Sequence, residues 1–143
     1  MKLGSVARDT YVNIEGYGTD KINHAYAYGD SIFLVKTVNQ NFDLNISNFV
    51  VVNFFRMAKV IDRLGGVEIE VDDEKIKYIN NYISEIAKIE GIQCDNVVSA
   101  EVHNLNGIQA VAYSRIRYTA SGDFRRTERQ RTVLLSLAKK VVI

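Results

Sequence analysis

Between Met57 and Val71 the apolar residues change period. Met57, Val60, Ile61 and Leu64 recur at helical spacing, Gly65-Gly66 follows, and Val67-Glu68-Ile69-Glu70-Val71 then alternates strictly. Apolar positions three and four apart line one side of a helix, whereas positions two apart line one face of a strand. A glycine pair supplies the left-handed backbone on which helices end. The segment therefore reads as helix, stop and half-exposed strand. Just before it, Phe49-Val50-Val51-Val52 is continuous, apolar and β-branched, which predicts a central strand covered on both faces. Strand, helix and strand in succession indicate an α/β class: a layered mixed β-sheet with helices on both faces.

The remaining chain fits that class. Leu3 to Ala7 and Tyr11 to Ile14 read as strands on either side of a polar bend at Arg8-Asp9-Thr10, with Gly16 and Gly18 in the following loop. Lys21 to Tyr28 reads as a short helix stopped by Gly29. Asp30-Ser31 offers N-cap chemistry to a second helix, Asp30 to Phe42, with an apolar face at Ile32, Val35 and Val38. Asp73 to Glu90 carries Ile76, Ile79, Ile83, Ile86 and Ala87 on one face and predicts a peripheral helix, followed by a loop over Gly91 to Asn104. Helices are expected over Ile108 to Ile116 and Asp123 to Val142. Tyr26, Tyr28, Phe33, Phe42, Phe54 and Phe55 are most simply core.

At 143 residues, 47% hydrophobic and 24% charged, the chain can build one core, so a single domain over 1–143 is expected. A formal charge of +1 advertises no polyanionic partner at the level of the whole chain. Cys94 is the single cysteine, and His24 and His103 are isolated, so disulfide scaffolds and zinc sites of the usual ligand set are excluded. Neither histidine is given a role, and Cys94 is expected to be inert. No stretch approaches the roughly 20 apolar residues that span a bilayer.

Chemistry concentrates near the C-terminal end. Tyr113-Ser114-Arg115-Ile116-Arg117-Tyr118 precedes Asp123-Phe124-Arg125-Arg126-Thr127-Glu128-Arg129-Gln130-Arg131. On a helix, Arg126 and Gln130 fall on the side of Val133, Leu137 and Val141, and so should turn toward the interior of the fold. Inward arginines call for an anion. The guanidinium fork suits phosphate, and Arg115 and Arg117 complete a cradle for a pyrophosphate-like group. Asp9 and Asp123 are hard oxygen ligands of the kind that share magnesium with phosphate oxygens. Together they describe phosphoryl transfer.

The runs Ala7-Arg8-Asp9-Thr10-Tyr11-Val12, Lys21 to Gly29, Val52-Asn53-Phe54, Ile61 to Val67, Tyr113 to Tyr118, Gly122-Asp123-Phe124 and Arg126 to Arg131 closely resemble the LytR-CpsA-Psr domain. They occur in the family's order over nearly the whole chain. The resemblance implies a membrane-anchored, extracytoplasmic phosphotransferase that moves a glycopolymer from a polyprenyl pyrophosphate carrier to peptidoglycan, leaving a phosphodiester. It implies that Arg8, Lys21, Arg115, Arg117, Arg126 and Gln130 hold the pyrophosphate and that Asp9 helps bind magnesium. Asp123 would orient the arginines or assist proton removal, and Asp9, Asp123, Arg115 and Arg117 would form the catalytic set. The apolar face of Asp30 to Phe42, with neighbouring Val and Phe side chains, would line the slot for the lipid tail. In the family the domain begins earlier, with a strand bearing a further acidic residue and an upstream transmembrane anchor, and this chain is expected to lack both. Ala7 stands where proline is frequent and Arg125 where a small residue is common. A non-catalytic module for lipid-linked polymers is an alternative. A DNA-binding regulator is disfavoured, because its arginines would have to face solvent.

Overall fold

The computed structural model describes residues 3–116 and 123–141. The chain divides into two compact units, one of them Ser5–Val51 and the other built from Val52 onward together with Leu3 and Gly4.

In the first unit, β1 (Tyr11–Ile14) and β2 (Gly18–Lys21) form an antiparallel hairpin with Tyr11 opposite Lys21. The next helical stretch, α1, spans Ile22–Phe42 but breaks at Gly29 and Asp30, whose backbone leaves the helical region. The two helices expected on either side of Gly29 are therefore both present. Val12, Ile14, Ile22 and Ala25 form a small core, against which Phe33, Leu34 and Val38 pack.

The second unit follows the predicted pattern closely. Helix α2 (Phe54–Arg63) starts where the Asn53 side chain accepts the Arg56 N–H at 2.9 Å. It ends as Gly66 N–H returns to the Ile61 carbonyl at 2.9 Å. At φ +92°, Gly66 has no room for a Cβ, which would lie 2.7 Å from the Leu105 carbonyl oxygen and 2.8 Å from Asn104. Strand β3 (Val67–Val71) buries Val67, Ile69 and Val71 in strict alternation. It pairs antiparallel with β4 (Glu101–Leu105). Helix α3 (Asp73–Glu90) is capped by Asp72, carries Asp73 and Glu74 in its first turn and closes on left-handed Gly91. Helix α4 (Gly107–Ser114) opens on a reciprocal Asn106/Gln109 capping box, and all its residues except Gln109 are buried. Gly107 lies so close to the Ala58 carbonyl that a side chain there would overlap α2 backbone, and its N–H donates to Asp62 at 2.6 Å. Helix α5 spans Asp123–Val141, with Val133 buried and Leu137 against the same core.

The α/β class holds, but its sheet component is two separate two-stranded antiparallel ladders among the described residues rather than one mixed sheet. The physical reason is a lack of strand partners. Leu3 to Ala7 and Phe49 to Val52 were expected as strands on apolar content, yet neither is paired, and both are exposed, Val50 to 86%. Conversely, β2 and β4 lie in stretches expected as loops and owe their extended form to β1 and β3. Most of the expected aromatic core is also displaced. Tyr26, Tyr28, Phe42, Phe54 and Phe55 are exposed, while isoleucine and valine fill the larger interior.

Candidate functional site

In the first unit, helix α1 begins without a side-chain cap. Its leading donors are met by the polar bend, since Ile22 N–H reaches the Thr10 carbonyl at 2.7 Å and Asn23 N–H the Arg8 carbonyl at 3.1 Å. The bend is thus fixed against the helix start, with the exposed side chains of Arg8 and Asp9 placed there. Lys21 Nζ stands 3.7 Å from Asp9 Oδ1, with their side chains 42% and 64% exposed. A pair so open to water contributes at most about 1 kcal/mol and can yield to a stronger ligand. Asp9 and Lys21 are thus in contact, and Arg8 stands beside Asp9 on the same bend.

Beside them lies a cluster to which no role was assigned. Asp20 Oδ1 accepts from Lys21 N–H at 2.7 Å and from His24 Nδ1 at 2.9 Å, and Asp20 Oδ2 accepts from the Tyr28 hydroxyl at 2.8 Å. These donors, His24 first, then Tyr28 and the Lys21 amide, lower the Asp20 carboxyl to about 2. Tyr17 stacks on Tyr28 with ring centres 4.0 Å apart. The signal was present in the sequence as Asp20, His24 and Tyr28 at steps of four.

In the second unit Arg115 closes α4, its amide donating to the Val111 carbonyl at 3.1 Å. Its half-buried guanidinium lies 5.3 Å from the centre of the Phe54 ring and 5.5 Å from that of Tyr82. Such cation–π contacts hold the planar group in one orientation. Gln130 turns inward as expected and lines an apolar cavity of about 340 Å³ with Val52, Phe54, Met57, Val111, Ser114, Val133 and Leu134. Arg115 lines a second cavity of about 290 Å³ that shares Phe54 and Val111 with the first. Arg126 is half-buried, and the fully buried arginine is Arg129, four residues before Val133, which donates to the Ile116 carbonyl. The inward guanidinium is therefore met by a backbone oxygen, a solution the spacing did not distinguish from an anion. Arg117 lies outside the described residues, as does the side chain of Asp123, whose backbone opens α5.

The apolar face of Asp30 to Phe42 lines an open groove with Ile46 and Phe49. The larger apolar lining belongs to the cavity of the second unit. Among the described residues no group of three His, Cys, Asp or Glu side chains gathers to hold a metal, and no helix is long and apolar enough to cross a membrane.

A fold of this kind, with an arginine held against rings beside an apolar cavity, has clear relatives. The LytR_cpsA_psr family model matches residues 1–142, and the chain belongs to that family. Regulatory protein MsrR of Staphylococcus aureus is 37% identical over 144 residues, 99% of this chain and 39% of that protein. The polyisoprenyl-teichoic acid–peptidoglycan teichoic acid transferase TagU of Enterococcus faecalis is 37% identical over 142 residues, 98% of this chain and 42% of its own length. The solved structure of YwtF (TagT) from Bacillus subtilis with bound octaprenyl pyrophosphate lipid matches at a TM-score of 0.72 and 34% identity, covering 95% of this chain and 51% of that one. The chain thus spans about two-fifths of the length of these curated relatives and about half of the solved chain.

Proposed function

We propose that this chain is the catalytic part of an extracytoplasmic phosphotransferase that moves a glycopolymer from a polyprenyl pyrophosphate carrier to peptidoglycan. The observation that carries this reading is the cavity of about 340 Å³, almost wholly apolar but edged by Gln130 and Ser114. Such a lining suits a lipid whose head is polar, and each buried CH₂ contributes roughly 0.8 kcal/mol. The naming of TagU as a teichoic acid transferase and the octaprenyl pyrophosphate bound to YwtF support the same chemistry.

In this reading Arg8, Lys21, Arg115, Arg117, Arg126 and Gln130 bind the pyrophosphate, and Asp123 orients the arginines. The acceptor sugar hydroxyl attacks the sugar-proximal phosphorus and polyprenyl phosphate leaves, while the guanidinium groups offset the charge on the transferring group. Asp9, an exposed carboxylate, would be the residue to hold magnesium. Magnesium, when bound, adds positive charge at the phosphate oxygens. A DNA-reading role fits poorly, because Arg129 is buried and Arg115 lies against two rings rather than reaching into solvent.

The test is to offer a polyprenyl pyrophosphate-linked oligosaccharide and peptidoglycan in the presence of magnesium. Covalent transfer is expected. Tight binding without transfer would instead identify a capture module, and neither would remove the reading. Arg115→Ala is expected to weaken polyprenyl pyrophosphate binding by roughly 2–3 kcal/mol, about 30- to 150-fold in Kd by calorimetry.

A further inference from the structure

The reaction needs a group that takes the proton of the attacking hydroxyl. We propose that His24 is that general base and that Asp20 is its positioning residue, an assignment that rests on the phosphotransferase reading above.

Three observations within the unit Ser5–Val51 lead to it. The first is the tautomer. An ionised Asp20 can only accept, so the 2.9 Å contact with His24 Nδ1 places the imidazole proton on Nδ1 and leaves the Nε2 lone pair to receive another. Nε2 makes no hydrogen bond among the described residues, and the His24 side chain is 48% exposed, open to an incoming hydroxyl. The second is rigidity. Both Asp20 oxygens are engaged, by His24, by the Lys21 amide and by the Tyr28 hydroxyl, and Tyr28 is itself stacked against Tyr17. The carboxylate is thereby held toward the imidazole. The third is place. His24 lies in the first turn of α1, next to Asn23, whose N–H is bonded to the Arg8 carbonyl, and it is held by Asp20, the chain neighbour of the Lys21 that meets Asp9. Asp20 and Tyr28 are in contact with the imidazole, and Lys21, Asp9 and Arg8 are the charged groups at that helix start.

His103 shows the opposite arrangement. Its Nε2 lies 2.7 Å from the Ser99 carbonyl oxygen, which can only accept, so that nitrogen carries the proton and cannot take one. The presence of Ser99 and Glu101 nearby does not change this polarity.

In the step proposed, the hydroxyl oxygen forms its bond to phosphorus as its O–H bond breaks. The proton passes to Nε2, and polyprenyl phosphate departs with the electron pair of the cleaved P–O bond. Asp20 stabilises the resulting imidazolium, which returns its proton to water. A positioned base of this kind is worth about 10²–10⁴ in rate.

The experiment measures transfer to peptidoglycan and, separately, binding of polyprenyl pyrophosphate, for the wild-type chain, H24A and H24N. Asparagine retains an N–H that can reach Asp20 but has no basic nitrogen. The expected result is a loss of about 100-fold or more in kcat for both variants, wild-type binding of polyprenyl pyrophosphate, and partial recovery of H24A, but not of an R115A control, in added imidazole. Near wild-type turnover in either variant, or a slow H24A that imidazole does not restore, overturns the assignment of His24 and leaves the phosphotransferase reading standing. A wild-type chain that transfers nothing overturns both together.

Discussion

The larger unit closes over isoleucines and valines contributed by α2, β3, α3 and α4, with Leu105 from β4, whereas the unit Ser5–Val51 buries Val12, Ile14, Ile22 and Ala25 against Phe33, Leu34 and Val38 and is further tied by polar side chains. Asn41 accepts the Asn13 N–H at 3.1 Å and returns a bond to the Asn13 carbonyl at 2.8 Å. Asn39 does the same with Ile46, and Lys36 pairs with Glu15 at 2.7 Å. Apolar burial scales with area and tolerates no gaps, while hydrogen bonds at a surface contribute little net energy but set directions. The difference suggests a division of labour. The larger core fixes a cavity, and the smaller unit holds its ionisable groups in set directions near water.

The comparison breaks most severely if the larger core is opened. Ile83→Ala removes a side chain 1% exposed and is expected to cost about 2–5 kcal/mol, read as a fall in the urea midpoint. Gly107→Ala places a methyl group against the Ala58 carbonyl and is expected to cost about 3 kcal/mol, at the upper end of overpacking. An unchanged midpoint would mean, for Ile83→Ala, that α3 is not packed into this core and, for Gly107→Ala, that α2 and α4 do not pack as described. In the smaller unit, Asn41→Ala is expected to cost about 1–2 kcal/mol, with faster amide exchange in Tyr11–Ile14 and no change in Asp73–Glu90. Equal acceleration in both segments would show that the polar ties are not local.

The smallest effect is one of pH. Asp20 is depressed to about 2 from an ordinary value of 3.8, so its contribution is fully present above about pH 4 and is lost as pH falls toward 2. The protection factors of amides at the start of α1 should therefore fall across that window in the wild type but not in Asp20→Asn. A variant that retains the acid response would assign it to another carboxylate.

Local chemistry made much of the larger unit legible. The periods of α2, β3 and α3 are written in consecutive residues, and Asn53, Asp72, Gly65-Gly66 and Gly91 mark their ends. The strand β4 was not legible, because Glu-Val-His-Asn-Leu has no alternating apolar pattern and becomes extended by pairing with β3. Phe49 to Val52 misled for the converse reason, since apolar residues make a strand only when a neighbour accepts their backbone bonds. Residue pattern and resemblance pointed to Arg8, Asp9, Lys21, Arg115 and Gln130 as candidates. They did not single out Arg129, whose burial depends on where the Ile116 carbonyl arrives, or the Asp20–His24–Tyr28 cluster, whose members were read singly.

What this sequence determined unaided was the family, most of the helices and the face of β3 that turns inward, because each depends on residue types within a few positions of one another. Tertiary structure decided which extended segments found partners, which arginine was buried and which nitrogen of each histidine carries its proton. Those outcomes depend on hydrogen-bond partners brought close by folding, and a carbonyl or carboxylate 2.7 to 2.9 Å from an imidazole leaves no mark in the order of the residues.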